Sequence, residues 1–272
     1  MSSRRKIRFA NACAKSSASG TEIMTPILAV TTALVVLVTA ILSGIFGMAG
    51  GLILMAFLTF AYSVGAAMML HGVTQAVSNG YRAIINRGDI VWPIVATNMV
   101  GAGLALALFL LVSFVPDKAT VLLLLGAIPF IAFSIPKSWG LDITRPFISP
   151  ICGFVVTALT LTAGVAGPIL DVFFVRSPLT RHQIVATKAV TQTLQHLTKL
   201  LYFGLLAAHL LPEAGLPWWV YVMVAPLAML GTTLGKMVLD RMNDGQFKSW
   251  SRNILFVLGA LLIWQGLTLM LA

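Results

Sequence analysis

The chain has 272 residues, of which 58% are hydrophobic and only 10% charged, with a mean hydropathy of +0.95. A water-soluble domain carries roughly a quarter charged residues, so this composition excludes one and requires an integral membrane protein. The formal net charge is +10, but the basic residues are scattered through loops and the N-terminal segment rather than clustered as a nucleic-acid footprint. Nucleic-acid binding is therefore set aside.

Residues 1–24 stand apart. Arg4, Arg5, Lys6, Arg8 and Lys15 lie among Ser and Ala. The segment reads as a disordered basic tail, with Met24 a second candidate for the start. A cleaved signal is disfavoured because the apolar run that begins near Pro26 is too long and unbroken. Cys13 lies in the tail and Cys152 in an apolar segment, which implies neither a disulfide framework nor a cysteine metal site. Neither a cofactor nor a metal is called for.

From Thr25 to Phe60 the chain is apolar but interrupted by Ser43, Gly44, Gly47, Gly50 and Gly51. Two half-helices meeting at a glycine turn fit this better than one straight span, and such irregular backbone must be buried in protein or line a cavity. A polar helix follows over 67–86, then apolar helices near 90–113 and 119–136. The stretch K-S-W-G-L-D-I-T-R-P at 137–146 is the polar interval in mid-chain. The second half repeats the plan: a break at Gly164, Gly167 and Pro168, a polar helix over 182–203, a loop at 204–217, and helices near 218–239 and 252–271. The expected architecture is an all-α integral membrane protein of about eight to ten hydrophobic helical segments in two inverted repeats, each opening with a glycine-broken helical hairpin. Its divisions are the tail 1–24, a first repeat 25–137, a cytoplasmic linker 138–146 and a second repeat 147–272.

The repeat can be counted. In the first polar helix His71, Thr74, Gln75, Ser78 and Arg82 fall at offsets of 3, 4, 7 and 11 from the first. On a helix turning ~100° per residue they share one face. Lys188, Thr191, Gln192, Gln195 and Lys199 have the same offsets, displaced by 117. At that displacement Gly47 matches Gly164, Ala49 matches Ala166 and Gly50 matches Gly167, while Leu125-Gly126-Ala127 matches Leu258-Gly259-Ala260 at 133. Basic loops at Arg82/Arg87, Lys137/Arg145, Arg176/Arg181 and Arg241/Lys248/Arg252 are expected in the cytoplasm, and 204–217, with no Lys or Arg, outside. Equivalent loops then lie on opposite sides, which is an inverted repeat. Paired broken helices point to a transporter site at the repeat interface. The basic tail conflicts with the outside N-terminus this scheme requires.

The glycine-rich L-S-G-I-F-G-M-A-G-G-L-I-L at 42–54, its weaker copy L-T-A-G-V-A-G-P-I-L at 161–170, and the polar helix after each copy resemble the sulfite exporter TauE/SafE family of bacterial membrane proteins. The resemblance covers the chain from about residue 26. It implies a secondary transporter, not an enzyme, that moves sulfite, organosulfonates or related organic acids, usually outward, in a multi-pass bacterial inner-membrane protein. The second copy departs from the first, with Pro168 in place of Gly51 and Asp171 in place of Leu54.

An anion crossing a bilayer needs its hydration replaced by positive charge and hydrogen-bond donors. Half-helix N-termini supply both. The candidate substrate contacts are Gly47, Ala49, Gly50, Gly51, His71, Thr74, Gln75, Gly164, Ala166, Gly167, Lys188, Thr191 and Gln192. The glycines compete with a simpler role in tight helix packing, and the Thr and Gln side chains with inter-helical hydrogen bonding. Lys188 is either a cavity cation or salt-bridged to Asp171. Arg82 and Lys199 read as interface anchors near helix ends. His71 and Asp171 are the candidates for proton coupling, and no catalytic residue stands out. Voltage favours anion export by alternating access. The rivals are proton-coupled uptake of an anion or organic acid and, further off, an intramembrane enzyme. The expected partners are a small anion, the lipid bilayer and a second copy in a homodimer.

Overall fold

A computed structural model describes residues 24–46, 48–139, 141–175, 177–210, 215–239, 241 and 244–271. Ten α-helices lie among them: α1 (Pro26–Phe46), α2 (Met48–Ala61), α3 (Val64–Ile85), α4 (Trp92–Val112), α5 (Lys118–Ser134), α6 (Ile148–Ala163), α7 (Gly167–Phe174), α8 (Arg181–Leu210), α9 (Trp218–Leu239) and α10 (Asp244–Leu271). Helix breaks fall where the glycines predict them, between α1 and α2 and between α6 and α7. Gly47 and the basic tail lie outside the described residues.

Two boundaries differ from expectation. The polar helix α8 runs to Leu210 rather than 203, because Gly204 is followed by Leu-Leu-Ala-Ala, strong helix formers that carry the helix past one glycine. Helix α10 begins at Asp244 instead of 252, so most of the expected 241–252 loop is its first two turns. Other ends obey local chemistry. Ser63 caps α3 by accepting from the Ala66 N–H at 3.4 Å. Gly164 closes α6 with φ of +81°, a conformation glycine adopts without strain. Asp117 caps α5, and the Thr120 N–H and hydroxyl hold its carboxyl below the usual carboxylate range. That cap persists above the ordinary carboxylate pKa and is lost as pH falls through the lowered one.

Among the described residues four helical stretches, in α1, α4, α9 and α10, are long and apolar enough to cross a membrane. Their outer faces carry Val30, Leu34 and Val38 on α1, Val100, Leu104, Leu108 and Leu111 on α4, and Val257, Leu261 and Trp264 on α10, all exposed. Recurrence every three or four residues makes each an apolar stripe, the face a helix presents to lipid. The interior instead holds buried polar groups from both polar helices, among them His71, Gln75, Asn79, Thr191, Gln195 and Lys199. Helices α3 and α8 match the others in length, and their polar stripes are what separates them from the apolar spans.

The largest interfaces all join one half to the other: α1 with α9, α4 with α6, α3 with α8 and α5 with α10. Their directions follow from residue contacts. Gly44 meets Gly235 while Leu37 and Ala40 meet Gly231, so α1 and α9 run parallel. Ser149 meets the Ile94 carbonyl and Gly153 meets Ala102, so α4 and α6 are parallel too. In contrast, Gly72 meets Leu200 while Gly80 meets Thr193, and Gly126 meets Gly259 while Leu123 meets Gly266, so α3/α8 and α5/α10 are antiparallel.

Small residues bring these backbones together, as in membrane bundles generally. A Cβ built on Gly126 would lie 2.6 Å from the Gly259 carbonyl oxygen, and one on Gly259 2.7 Å from that of Gly126. A Cβ on Gly101 would overlap the Pro150 carbonyl, whereas Gly103, two residues on, has open space. Gly101→Ala should therefore lower the thermal unfolding midpoint in detergent, with an overpacking cost of about 1–3 kcal/mol. Gly103→Ala should leave it unchanged or raise it, through a helix-propensity gain of up to ~1 kcal/mol. Equal behaviour of the two variants would contradict the close α4–α6 contact.

Candidate functional site

The polar faces of α3 and α8 pack against each other, and Gly72 permits the approach: a Cβ there would lie 2.8 Å from the Leu200 side chain. Along this contact the Lys199 ammonium donates to His71 Nδ1 at 2.9 Å and to the Gly164 carbonyl at 3.0 Å. With Nδ1 accepting, the His71 ring carries its proton on Nε2, and Nε2 lies 3.0 Å from the Gly51 carbonyl it donates to. Gly51 belongs to the first hairpin and Gly164 to the second. One hydrogen-bonded line thus runs from hairpin to hairpin through both polar helices.

Lys199 and His71 are both fully buried. No carboxylate among the described residues pairs with Lys199. Burying a cation costs several kcal/mol unless counter-charge or hydrogen bonds compensate, and here only two neutral acceptors do so. The expectation that Lys199 anchors at a helix end is corrected. The extended α8 places it well inside the helix, with eleven residues still to follow.

Beside this line is a small polar cavity of about 20 Å³, room for one water-sized group. Of the residues expected from sequence, Gly51, His71, Gln75, Ala166, Gly167 and Gln192 line it. Asn79, Thr160, Gln195 and His196 join them. Helix α7 starts at this wall, with Ala166 and Gly167 in the lining and no side-chain cap on Ala166. His196 is buried, its Nδ1 finds no hydrogen-bond partner among the described residues, and its ring centroid lies 5.4 Å from that of His71. His196, one residue beyond Gln195 and outside the repeated stripe, is the part of the site least visible in the sequence.

The other expected residues lie elsewhere. Thr74 donates to the Leu70 carbonyl at 2.8 Å and Thr191 to that of Lys188 at 3.0 Å, so both hydroxyls are spent on their own helices. Ala49 is buried in the apolar core, and Gly50 abuts the Thr39 carbonyl and Ser43, where it serves helix packing. Gly164 shapes the second turn and accepts from Lys199; a Cβ there would lie 2.6 Å from Met55 Sδ, so the two hairpins touch at this point. Lys188 and Asp171 form an ion pair with each other, both side chains partly exposed. The two residues proposed for proton coupling therefore belong to separate clusters. His71 bonds Lys199 and Gly51, and Asp171 bonds Lys188. Arg82 donates to the Ser43 carbonyl at 3.2 Å, near the end of the half-helix α1.

A helical bundle with an apolar exterior, whose two broken hairpins meet at a buried polar cavity, has the build of a multi-pass membrane transporter. The chain belongs to the sulfite exporter TauE/SafE family, whose family model matches residues 32–262. That range takes in both hairpins, both polar helices and every residue lining the cavity. Members of this family are membrane transporters and not enzymes. No curated protein matches the chain, and neither does any solved structure.

The ion pair offers a check on the site's charge balance. Asp171→Asn leaves the Lys188 ammonium without its counter-charge and should cost about 1–3 kcal/mol, less than a fully buried pair because both groups keep some solvent contact. Adding Lys188→Met to Asp171→Leu should restore most of that stability, since Leu54 already occupies the matching place in the first half. Thermal unfolding of the variants in detergent measures both steps, and a double variant no more stable than Asp171→Asn would show that the pair itself supports the fold.

Proposed function

We propose that the chain exports a small anion, sulfite, an organosulfonate or a related organic acid, by alternating access of two inverted repeats about the central cavity. The observation that carries this reading is Lys199. It is a buried cation without a carboxylate partner among the described residues, and its ligand His71 forms part of the wall of a cavity lined by amides, a helix N-terminus and the unpartnered nitrogen of His196. An anion in the cavity supplies the missing counter-charge, and the Gln75, Asn79 and Gln192 amides replace part of its hydration. His71, which lines the cavity, binds Lys199 through Nδ1 and so links the cation to this space.

The helix directions support the repeat. Helices α3 and α8 hold the matching stripes and pack antiparallel, as do α5 and α10 with their matching glycines, while α1/α9 and α4/α6 exchange with each other when the halves are swapped. A two-fold axis in the membrane plane reverses helix direction in this manner. In the closed form seen here the cavity admits no more than a water, so transport requires the hairpins to part. The shared hydrogen-bonded line is the element that must give or rotate when they do. The divisions at 25–137 and 147–272, a bacterial inner-membrane location and a homodimer form part of the same proposal.

Direction follows from voltage. A monovalent anion leaving an interior-negative cell gains about 2.3 kcal/mol per 100 mV, so export needs no coupled ion. Proton-coupled uptake is the second reading, favoured by the direct nitrogen-to-nitrogen contact of Lys199 and His71, along which a proton can move. Proteoliposomes loaded with labelled sulfite separate the two. An interior-negative potential should speed efflux and an interior-positive one slow it. Lys199→Met should reduce efflux at least tenfold in a protein that still unfolds cooperatively. Flux indifferent to potential but driven by a pH gradient would favour coupled uptake, and wild-type protein that moves neither sulfite, sulfonates nor carboxylates would overturn the transport assignment.

A further inference from the structure

A second and much larger cavity, about 370 Å³, opens where α3 ends and α8 begins. Its wall carries Arg82 from α3 and Asn86 just beyond that helix, Arg181 and His182 from α8, and Lys236 from α9, and no acidic side chain among the described residues. Three permanent cations facing one concave space create a positive potential that low-dielectric walls focus rather than screen. Arg82 uses one guanidinium N–H on the Ser43 carbonyl and has four more to offer.

The start of α8 adds to the same field. Thr180 and Gln183 form a reciprocal capping box, the Thr180 N–H donating to Gln183 Oε1 at 3.1 Å and the Gln183 N–H to Thr180 Oγ1 at 3.3 Å. The box uses those two donors. It leaves the backbone N–H groups of Arg181 and His182, the first two residues of a thirty-residue helix, without a partner among the described residues. The positive end of that long helix dipole therefore points at the cavity that its own side chains line.

The two cavities are lined by successive stretches of the same two helices, α3 and α8, with no lining residue in common. On α3, Asn79 borders the central cavity and Arg82 the larger one, about 4.5 Å apart along the helix axis. Thr232, in the wall of the larger cavity, is hydrogen-bonded at 2.7 Å to Ser78, the neighbour of Asn79. On α8 the Lys188–Asp171 pair lies between Val185 of the larger cavity and Gln192 of the central one. The basic loops that mark the cytoplasmic side flank this end of the bundle.

We propose that this vestibule is a second anion site, in which Arg82, Arg181, His182 and Lys236 gather a small oxyanion (sulfite, sulfonate or carboxylate) from the cytoplasm ahead of the central cavity. The inference rests on the transport reading above. The same chemistry would also bind the phosphate of an anionic lipid, and the experiment distinguishes the two.

The test variant is Arg181→Gln/Lys236→Gln, both residues being exposed and outside the core. In inside-out vesicles, which present the vestibule to the medium, the KM for labelled sulfite should rise about tenfold with Vmax within twofold of wild type. The dependence of KM on salt should flatten. In right-side-out vesicles KM should not change, and the charge-keeping Arg181→Lys/Lys236→Arg should behave as wild type. An unchanged KM, or the same change from both faces, would overturn the proposal. So would an effect present in vesicles containing phosphatidylglycerol and absent in pure phosphatidylcholine, which would assign the vestibule to a lipid phosphate. Equilibrium dialysis of labelled sulfite against the detergent-purified full chain keeps the vestibule testable even where no flux is seen. Two anions bound per wild-type chain and one per double variant would support the site, whereas equal numbers would overturn it.

Discussion

The Lys199 ammonium is the group around which the polar interior is arranged. Fully buried, it is stabilised by a histidine nitrogen and a main-chain carbonyl, each from a different part of the bundle. Its acceptors must be fixed because neutral acceptors compensate a buried charge only at good geometry. Three features supply that fixity. Gly164, in the left-handed region, turns its carbonyl toward Lys199; His71 is held by the Gly51 carbonyl on its other face; Gly72 lets α8 come close enough to make the contact. Each is a glycine or the neighbour of one. The glycines of the hairpins thus serve the electrostatics of the centre as much as the packing of the helices.

Much of this was legible in the chain itself. Composition required a membrane protein, and the interrupted apolar runs located both hairpin breaks. The two five-residue stripes identified the helices that line the cavity, because matched polar faces in an oily chain have few other uses. Six of the expected contact residues reach the cavity wall. What was hidden has physical causes. A hydroxyl in a stripe looks the same whether it faces a cavity or bonds its own preceding turn, and Thr74 and Thr191 do the latter. A lysine near an assumed helix end looks like an anchor, and Lys199 lost that reading once Leu205 to Leu210 continued the helix. Gly50 and Gly51 are adjacent in sequence but face different neighbours, Thr39 and Ser43 for one and Gln75 for the other.

The two halves carry matching sequence stripes and differ in charge. Arg82 and Lys199 hold equivalent positions, and each donates to a carbonyl at the end of the first half-helix of its own hairpin, Ser43 in one case and Gly164 in the other. Carbonyls at a helix C-terminus carry the negative end of the dipole, so a cation there stabilises the break without any acidic residue. The pairing across the halves is unequal, however. Where His71 meets Lys199 in the centre, the matching partners Lys188 and Arg82 are two cations that cannot bond each other, and Lys188 is satisfied by Asp171 instead.

Under the proposed transport reading, that inequality orders the path of an anion. Moving from the vestibule toward the centre, it meets a cluster of permanent cations open to water, then an ammonium already neutralised by Asp171, then an ammonium with neutral ligands only. The strongest uncompensated attraction is therefore the most deeply buried, where desolvation costs the anion most. A path of uniformly exposed cations would trap it at the mouth, and one without the inner cation would leave nothing to offset desolvation. Placing Asp171 between the two lowers the attraction at the intermediate step, so that an anion neither stalls there nor has to displace a carboxylate to reach Lys199. Leu54, at the matching position in the first half, carries no charge to repeat that effect, so the two ends of the path are not interchangeable despite the shared plan of the helices.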